Sequence, residues 1–148
     1  MAVAAAILFV FCLVLFIQWR WLRAPKIHAV FGLDKSWKLL SCDIGGKKGS
    51  YYRFGPVGGV PDAVFRRGHH LRVYDLKKRR KPSFPSKYER FQMTLYLGIL
   101  KAKFRTLEVR AFLAYEGGQI EVTWNEALYA NLVARIPDLL RVKKQLRI

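Results

Sequence analysis

Hydrophobic and polar positions divide the chain into an apolar head and a longer alternating body. From Ala2 to Gln18 nearly every side chain is apolar, Ile7, Leu8, Phe9, Val10, Phe11 and the run Leu13 to Ile17 among them, and no charge precedes Arg20. As a helix this run would span roughly 27 Å, close to the hydrocarbon thickness of a bilayer. Trp19 and Trp21 follow, with Arg20, Arg23 and Lys26, the aromatic and basic flank expected at a membrane interface. A cleaved signal peptide wants a basic segment before the apolar run and a small-x-small cleavage site after it. Here no Lys or Arg comes before, and bulky Trp19 to Leu22 comes after. A buried core helix has no need of a one-sided basic flank. The expectation is an uncleaved anchor with flank over residues 1–24, a juxtamembrane linker over 25–36 and a folded domain over 37–140. A basic tail (141–148) carries Arg141, Lys143, Lys144 and Arg147. Positive charges stay cytosolic, which predicts a single-pass protein of the cell membrane, N-terminus out and domain in.

The body alternates strand and helix patterns. Trp37 to Asp43 reads as a strand, and Gly45-Gly46-Lys47-Lys48-Gly49 as a turn into a second strand, Ser50 to Phe54. Gly55, Pro56, Gly58 and Gly59 break the pattern. Pro61 to Arg66 and Leu71 to Lys77 form two short strands around Gly68-His69, a tight hairpin. Lys78 to Lys81 with Pro82, Ser83 and Pro85 reads as a basic loop. Ser86 and Glu89 stand at capping-box spacing, so a helix is predicted from about Lys87. Tyr88, Gln92 and Tyr96 recur at helical spacing beside Phe91, Leu95 and Ile99, although some period-2 alternation leaves a strand open there. Leu107 to Leu113 alternates as a strand, Gly117-Gly118 turns the chain, and Ile120, Val122 and Trp124 suggest another. Leu128, Leu132 and Ile136 mark a closing helix that Pro137 ends or kinks. The order is that of a mixed α/β domain without internal repeats.

Composition narrows the chemistry. The 148 residues hold 27 Lys plus Arg against 10 Asp plus Glu, a formal charge of +17, and 52% are hydrophobic. The apolar fraction argues against disorder, and the charge points to an anionic partner, nucleic acid or a lipid surface. Two cysteines make neither a disulfide framework nor a four-thiolate zinc site. In the cytosol Cys42 stays a free thiol.

The hairpin concentrates the candidate chemistry. With Gly68-His69 as a two-residue loop, Arg67 pairs with His70, and counting outward sets Asp62 opposite Asp75. A turn longer by one residue would shift this register. Opposed carboxylates repel, and a divalent cation between them removes the repulsion. Two carboxylates with water suit Mg²⁺. Lys77, two residues beyond Asp75, projects from the same face and could stabilise charge developing on a phosphate.

Gly59-Val60-Pro61-Asp62, followed after twelve residues by Asp75-Leu76-Lys77 at the end of an apolar strand, resembles the signature of the PD-(D/E)XK nuclease superfamily. Gln92-Met93-Thr94-Leu95-Tyr96 looks like the Gln-hydrophobic-x-x-Tyr motif of its RecB-like branch, whose Gln and Tyr share a helix face. The resemblance implies a restriction-endonuclease-like mixed sheet flanked by helices and metal-dependent cleavage of DNA. By the same resemblance Asp62, Asp75 and the Leu76 carbonyl would bind Mg²⁺ or Mn²⁺. Lys77 would act on the attacking water, and Gln92 and Tyr96 would support the site or contact the nucleic acid. The upstream acidic residue or His of such nucleases has no clear counterpart, His28 being the only nearby His. An iron–sulfur cluster is excluded by the cysteine count.

Arg66, Arg67 and Arg72 on the hairpin, and Lys78, Arg79, Arg80 and Lys81 after it, are candidate phosphate contacts; the rival reading is a solvated loop facing anionic lipid. Gly45 to Ser50 lacks the spacing of a phosphate loop. His69 and His70 share a turn without a third ligand, and no Ser or Cys has a positioned base. The chain thus reads as a membrane-anchored, metal-dependent deoxyribonuclease with DNA and membrane lipids as partners, alone or within a larger DNA-processing complex. The alternative is a tethered, non-enzymatic module that binds nucleic acid or anionic lipid on a decayed nuclease fold.

Overall fold

The computed structural model describes residues 27–145, so the expected anchor and its flank lie outside the described residues. The chain divides into two compact units, residues 1–34 and 35–148. Of the first, the described part contains one helical turn, α1 (Ile27–Val30). Among the described residues no helix is long and apolar enough to cross a membrane.

The second unit is built on a five-stranded mixed sheet, in the order β1 (Lys38–Cys42), β4 (Ala63–Arg67), β5 (His70–Arg80), β6 (Glu108–Glu116), β7 (Gly118–Val122). A separate hairpin joins β2 (Tyr52–Phe54) to β3 (Val57–Gly59). All neighbours run antiparallel except β5 and β6, which are parallel. Parallel neighbours need a crossover, and helix α2 (Lys87–Lys103) supplies it. Helix α3 (Glu126–Gln145) closes the chain.

The α2-facing side of the sheet carries the core. Val64, Leu71, Val73, Val109, Ala111 and Leu113 meet Met93, Leu97, Ile99 and Leu100 of α2, all buried. Each such side chain contributes roughly 1.5–3 kcal/mol on burial. The expected helix starts where its capping box does: the Ser86 side chain accepts from Glu89 N, and the Glu89 carboxylate accepts from Ser86 N at 2.8 Å. That excludes the strand reading for this segment. At Gly98 an added Cβ would lie 2.0 Å from the Tyr129 ring, so α2 and α3 approach closely there because glycine leaves room.

Several expectations need correction. Lys78 to Lys81 is not a loop: β5 continues to Arg80, and Lys81 N donates to Glu116 O at 3.2 Å. Four basic residues carry no apolar alternation, but β6 is long enough to hold them as strand, with an irregularity between Lys77 and Arg80. β3 runs through Gly58 and Gly59, which looked like breakers. The site of a Gly58 Cβ is filled by the Tyr51 hydroxyl at 2.0 Å. β7 ends at Val122, short of Trp124. Pro137 does not end α3, which continues to Gln145 through the first residues of the basic tail. Val133 and Ile136, rather than Leu128 and Leu132, pack against the core from α3.

Candidate active site

The hairpin register is the one counted from the two-residue turn. Arg67 pairs with His70 and Ala63 with Tyr74, so the next residues outward are Asp62 and Asp75. The Asp62 carboxylate fills the place a strand would take, its Oδ2 accepting from Leu76 N at 2.6 Å. Asp62 is half-buried, whereas Asp75 is only 5% exposed. Burial first, and then the neighbouring Asp75 charge, push the Asp62 carboxyl above its ordinary value against the opposing Leu76 hydrogen bond.

Asp75, Lys77 and Gln92 form one bonded cluster. The Lys77 ammonium pairs with Asp75 Oδ2, and it donates to Gln92 Oε1 at 3.3 Å. Gln92 Nε2 donates to Asp75 Oδ1 at 3.1 Å. One amide thereby holds both charged groups in fixed orientation. One helical turn on, Tyr96 donates its hydroxyl to Val60 O at 3.1 Å. Burial raises the Tyr96 phenol, and the charges of Asp75 and Asp62 add to the rise, so it stays a neutral donor. An added Cβ at Gly59 would come within 2.8 Å of the Tyr96 ring. The segment Gly59 to Asp62 is therefore seated directly on α2. The structure brings Asp62, Asp75, Lys77, Gln92 and Tyr96 together.

The residues fit a divalent cation. Asp75 Oδ2 is buried, and its partner is the Lys77 ammonium. Within an extended strand the N–H and C=O of one residue face the same side, so the Leu76 carbonyl faces the Asp62 side together with its N–H. The donors are all hard oxygens, the set Mg²⁺ and Mn²⁺ prefer. Among the described residues no three His, Cys, Asp or Glu side chains converge on one ion. An ion here would have Asp62, Asp75 and the Leu76 carbonyl as its candidate ligands.

The candidate phosphate contacts separate into two groups. Lys78, Arg80 and Lys81 are exposed just beyond Lys77. Arg79 is tied to Glu89, its Nη2 lying 2.8 Å from both carboxylate oxygens. Arg66, Arg67 and Arg72 are not brought to the site. Arg72 is three residues from Asp75 along β5, about 10 Å away and on the opposite face. Arg67 and Arg72 lie 4.6 and 4.3 Å from the centroid of the Trp37 ring. Arg66 donates to Gly68 O at 3.0 Å, at the far end of the hairpin.

Sequence reasoning missed Asp43. It follows β1, and its N donates to Asp62 O at 2.8 Å.

The profile of the PD-(D/E)XK nuclease superfamily matches residues 16–146, so the chain belongs to that superfamily, whose members act on nucleic-acid phosphodiesters and generally use divalent metals. The match begins inside the segment read as the anchor. The solved crystal structure of SSO0001 superposes with a TM-score of 0.41 at 17% identity, covering 88% of this chain and 60% of that one. No curated protein matches the chain.

Proposed function

We propose that this protein is a membrane-anchored, metal-dependent deoxyribonuclease of the RecB-like branch. The observation that carries the reading is the bonded cluster of Asp75, Lys77 and Gln92 beside Asp62. Asp62, Asp75 and the Leu76 carbonyl would hold Mg²⁺ or Mn²⁺. When bound, such an ion supplies charge neutralisation at the phosphodiester and lowers the pKa of water. The Lys77 ammonium, fixed by Gln92, would stabilise negative charge growing on the phosphate. Tyr96 fixes the Val60 carbonyl and hence the approach of Asp62 to Asp75. Lys78, Arg80 and Lys81 would bind the DNA backbone next to the site. Anchoring is supported by the uncharged run Ala2 to Gln18 with its Trp19 and Trp21 belt and one-sided basic flank. On that reading the domain is cytosolic and lipid is its second partner.

The test is cleavage of DNA by the full chain in detergent micelles with Mg²⁺ or Mn²⁺. D75A and K77A are expected to abolish cleavage with the fold retained by circular dichroism. Parental activity in both would place the chemistry elsewhere. The absence of a third converging ligand favours a second reading, a DNA-binding module without catalysis. DNA binding with no cleavage under either metal would select it.

A further inference from the structure

The first turns of α2 present two faces. Glu89, Gln92 and Tyr96 point toward the sheet, where Glu89 holds Arg79 and Gln92 holds Asp75 and Lys77. At about 100° per residue, the side chains met next on going round the helix from Gln92 are Tyr88, Phe91 and Lys87, with Arg90 beyond. All four are exposed, Tyr88 to 85% and Phe91 to 36%. Tyr88 precedes Phe91 by three residues and Gln92 by four, spacings that set Cβ atoms about 5–6 Å apart. A pair of rings therefore begins one helical turn from the amide that orients Asp75 and Lys77. Other aromatic rings near this helix are engaged: Tyr96 donates to Val60 O, the Tyr115 ring lies 5.2 Å from the Arg79 guanidinium, and Trp124 lies 5.2 Å from Tyr129. A single ring in water needs no explanation, but two adjoining the candidate active site form a surface.

The charges around the rings set the sign of what they would bind. Glu89 is the one acidic residue between Lys87 and Phe91, and it is buried against Arg79. Lys87 and Arg90 thus flank the rings without an exposed carboxylate between them. Cations interleaved with aromatic rings suit a nucleic-acid strand, whose phosphates meet the cations while its bases stack on the rings. Such stacking needs an unpaired base. In a duplex the bases stack on one another and offer only their edges and the phosphates. An anionic lipid surface would use the same cations, but it gives no reason for the rings to adjoin Gln92. A strand whose phosphodiester reaches Asp75 and Lys77 has to pass that residue.

We propose that Tyr88 and Phe91 form a base-stacking platform that receives unpaired bases of single-stranded DNA next to the candidate active site. This rests on the nuclease reading above and names the form of its substrate. The experiment is fluorescence anisotropy in EDTA with the full chain in a neutral detergent, for the parent, Y88A, Y88F and Y88A/F91A. The probes are a labelled single-stranded oligodeoxynucleotide, a blunt duplex of the same length, and a single strand of abasic sugars. Y88A should weaken single-strand binding about tenfold and Y88A/F91A further. The dependence on salt should not change, because no cation is lost. Y88F keeps the ring and should bind as the parent does. The duplex and the abasic strand should be bound alike by all four proteins. Parental affinity of Y88A/F91A for the single strand would overturn the proposal and leave the rings to a lipid surface. An equal loss on the abasic strand or the duplex would overturn it too, since stacking would not be its cause. The nuclease reading fails separately: a parent that shows this binding pattern yet cleaves no DNA with Mg²⁺ or Mn²⁺ would end that reading and leave the platform standing.

Discussion

Asp62 sits where burial and a neighbouring carboxylate both oppose its charge, and that has a consequence for stability. Its folded pKa lies above the ordinary 3.8, so between the two values the folded state binds more protons than the unfolded one. Stability without metal therefore falls as pH rises through that window. D62N keeps an oxygen for the Leu76 N–H and removes the charge. In EDTA at neutral pH it should melt above the parent, and the difference should vanish below the unfolded carboxylate range, where the parent is protonated. Thermal denaturation across pH measures both; a D62N protein that melts lower at neutral pH would contradict the facing-carboxylate geometry. The Asp62–Asp75 pairing was legible because a two-residue turn fixes a short hairpin's register by counting. Asp43 was not, because a register shift between Leu39 and Ser41 and a flexible-looking glycine loop hide the pairing of β1.

At the scale of elements, Glu89 locks the start of α2 to the end of β5. It is 7% exposed, closes the capping box with Ser86 and receives Arg79. Burial acts to raise its carboxyl, but Arg79 and Ser86 outweigh that and hold it at about 2, against an ordinary 4.5. A depressed carboxylate stabilises the fold fully above its unfolded pKa, and this stabilisation is lost as pH falls from 4.5 toward about 2. E89Q should cost on the order of 2 kcal/mol at neutral pH and flatten the acid limb of the stability curve, as read by urea denaturation between pH 2 and 7. An unchanged acid limb would remove Glu89 from this role. G98A tests the other contact of α2. Helix propensity alone favours Ala by about 1 kcal/mol, yet the Tyr129 ring fills that space, so the variant should melt lower. The helix start was legible because a capping box is local. The last residues of β5 were not: nothing in Lys78-Arg79-Arg80-Lys81 marks a strand, and the extended form there depends on β6, which lies a helix away in sequence. 

Across the whole molecule, a charge of +17 makes affinity for any polyanion large and says little about where it binds. The fold distinguishes the basic residues that composition lumps together. Arg67 and Arg72 are engaged with Trp37, and Arg79 with Glu89. Lys78, Arg80 and Lys81 are exposed at the end of β5 and just after it, beyond Lys77. If those three contact phosphates, the plot of log affinity against log salt should become shallower by about 2–3 in K78A/R80A/K81A, at roughly 0.7–0.9 per lost contact. R72A should leave the slope unchanged and lower the melting temperature instead, because it removes a cation–π contact worth about 0.5–2 kcal/mol. Fluorescence anisotropy with labelled DNA in EDTA, from low to physiological salt, reads the slopes without cleavage. A slope altered by R72A and untouched by the triple variant would move the DNA path to the opposite face of the sheet, away from the carboxylates. Binding and chemistry would then lie on different surfaces, and one bound strand could not serve both.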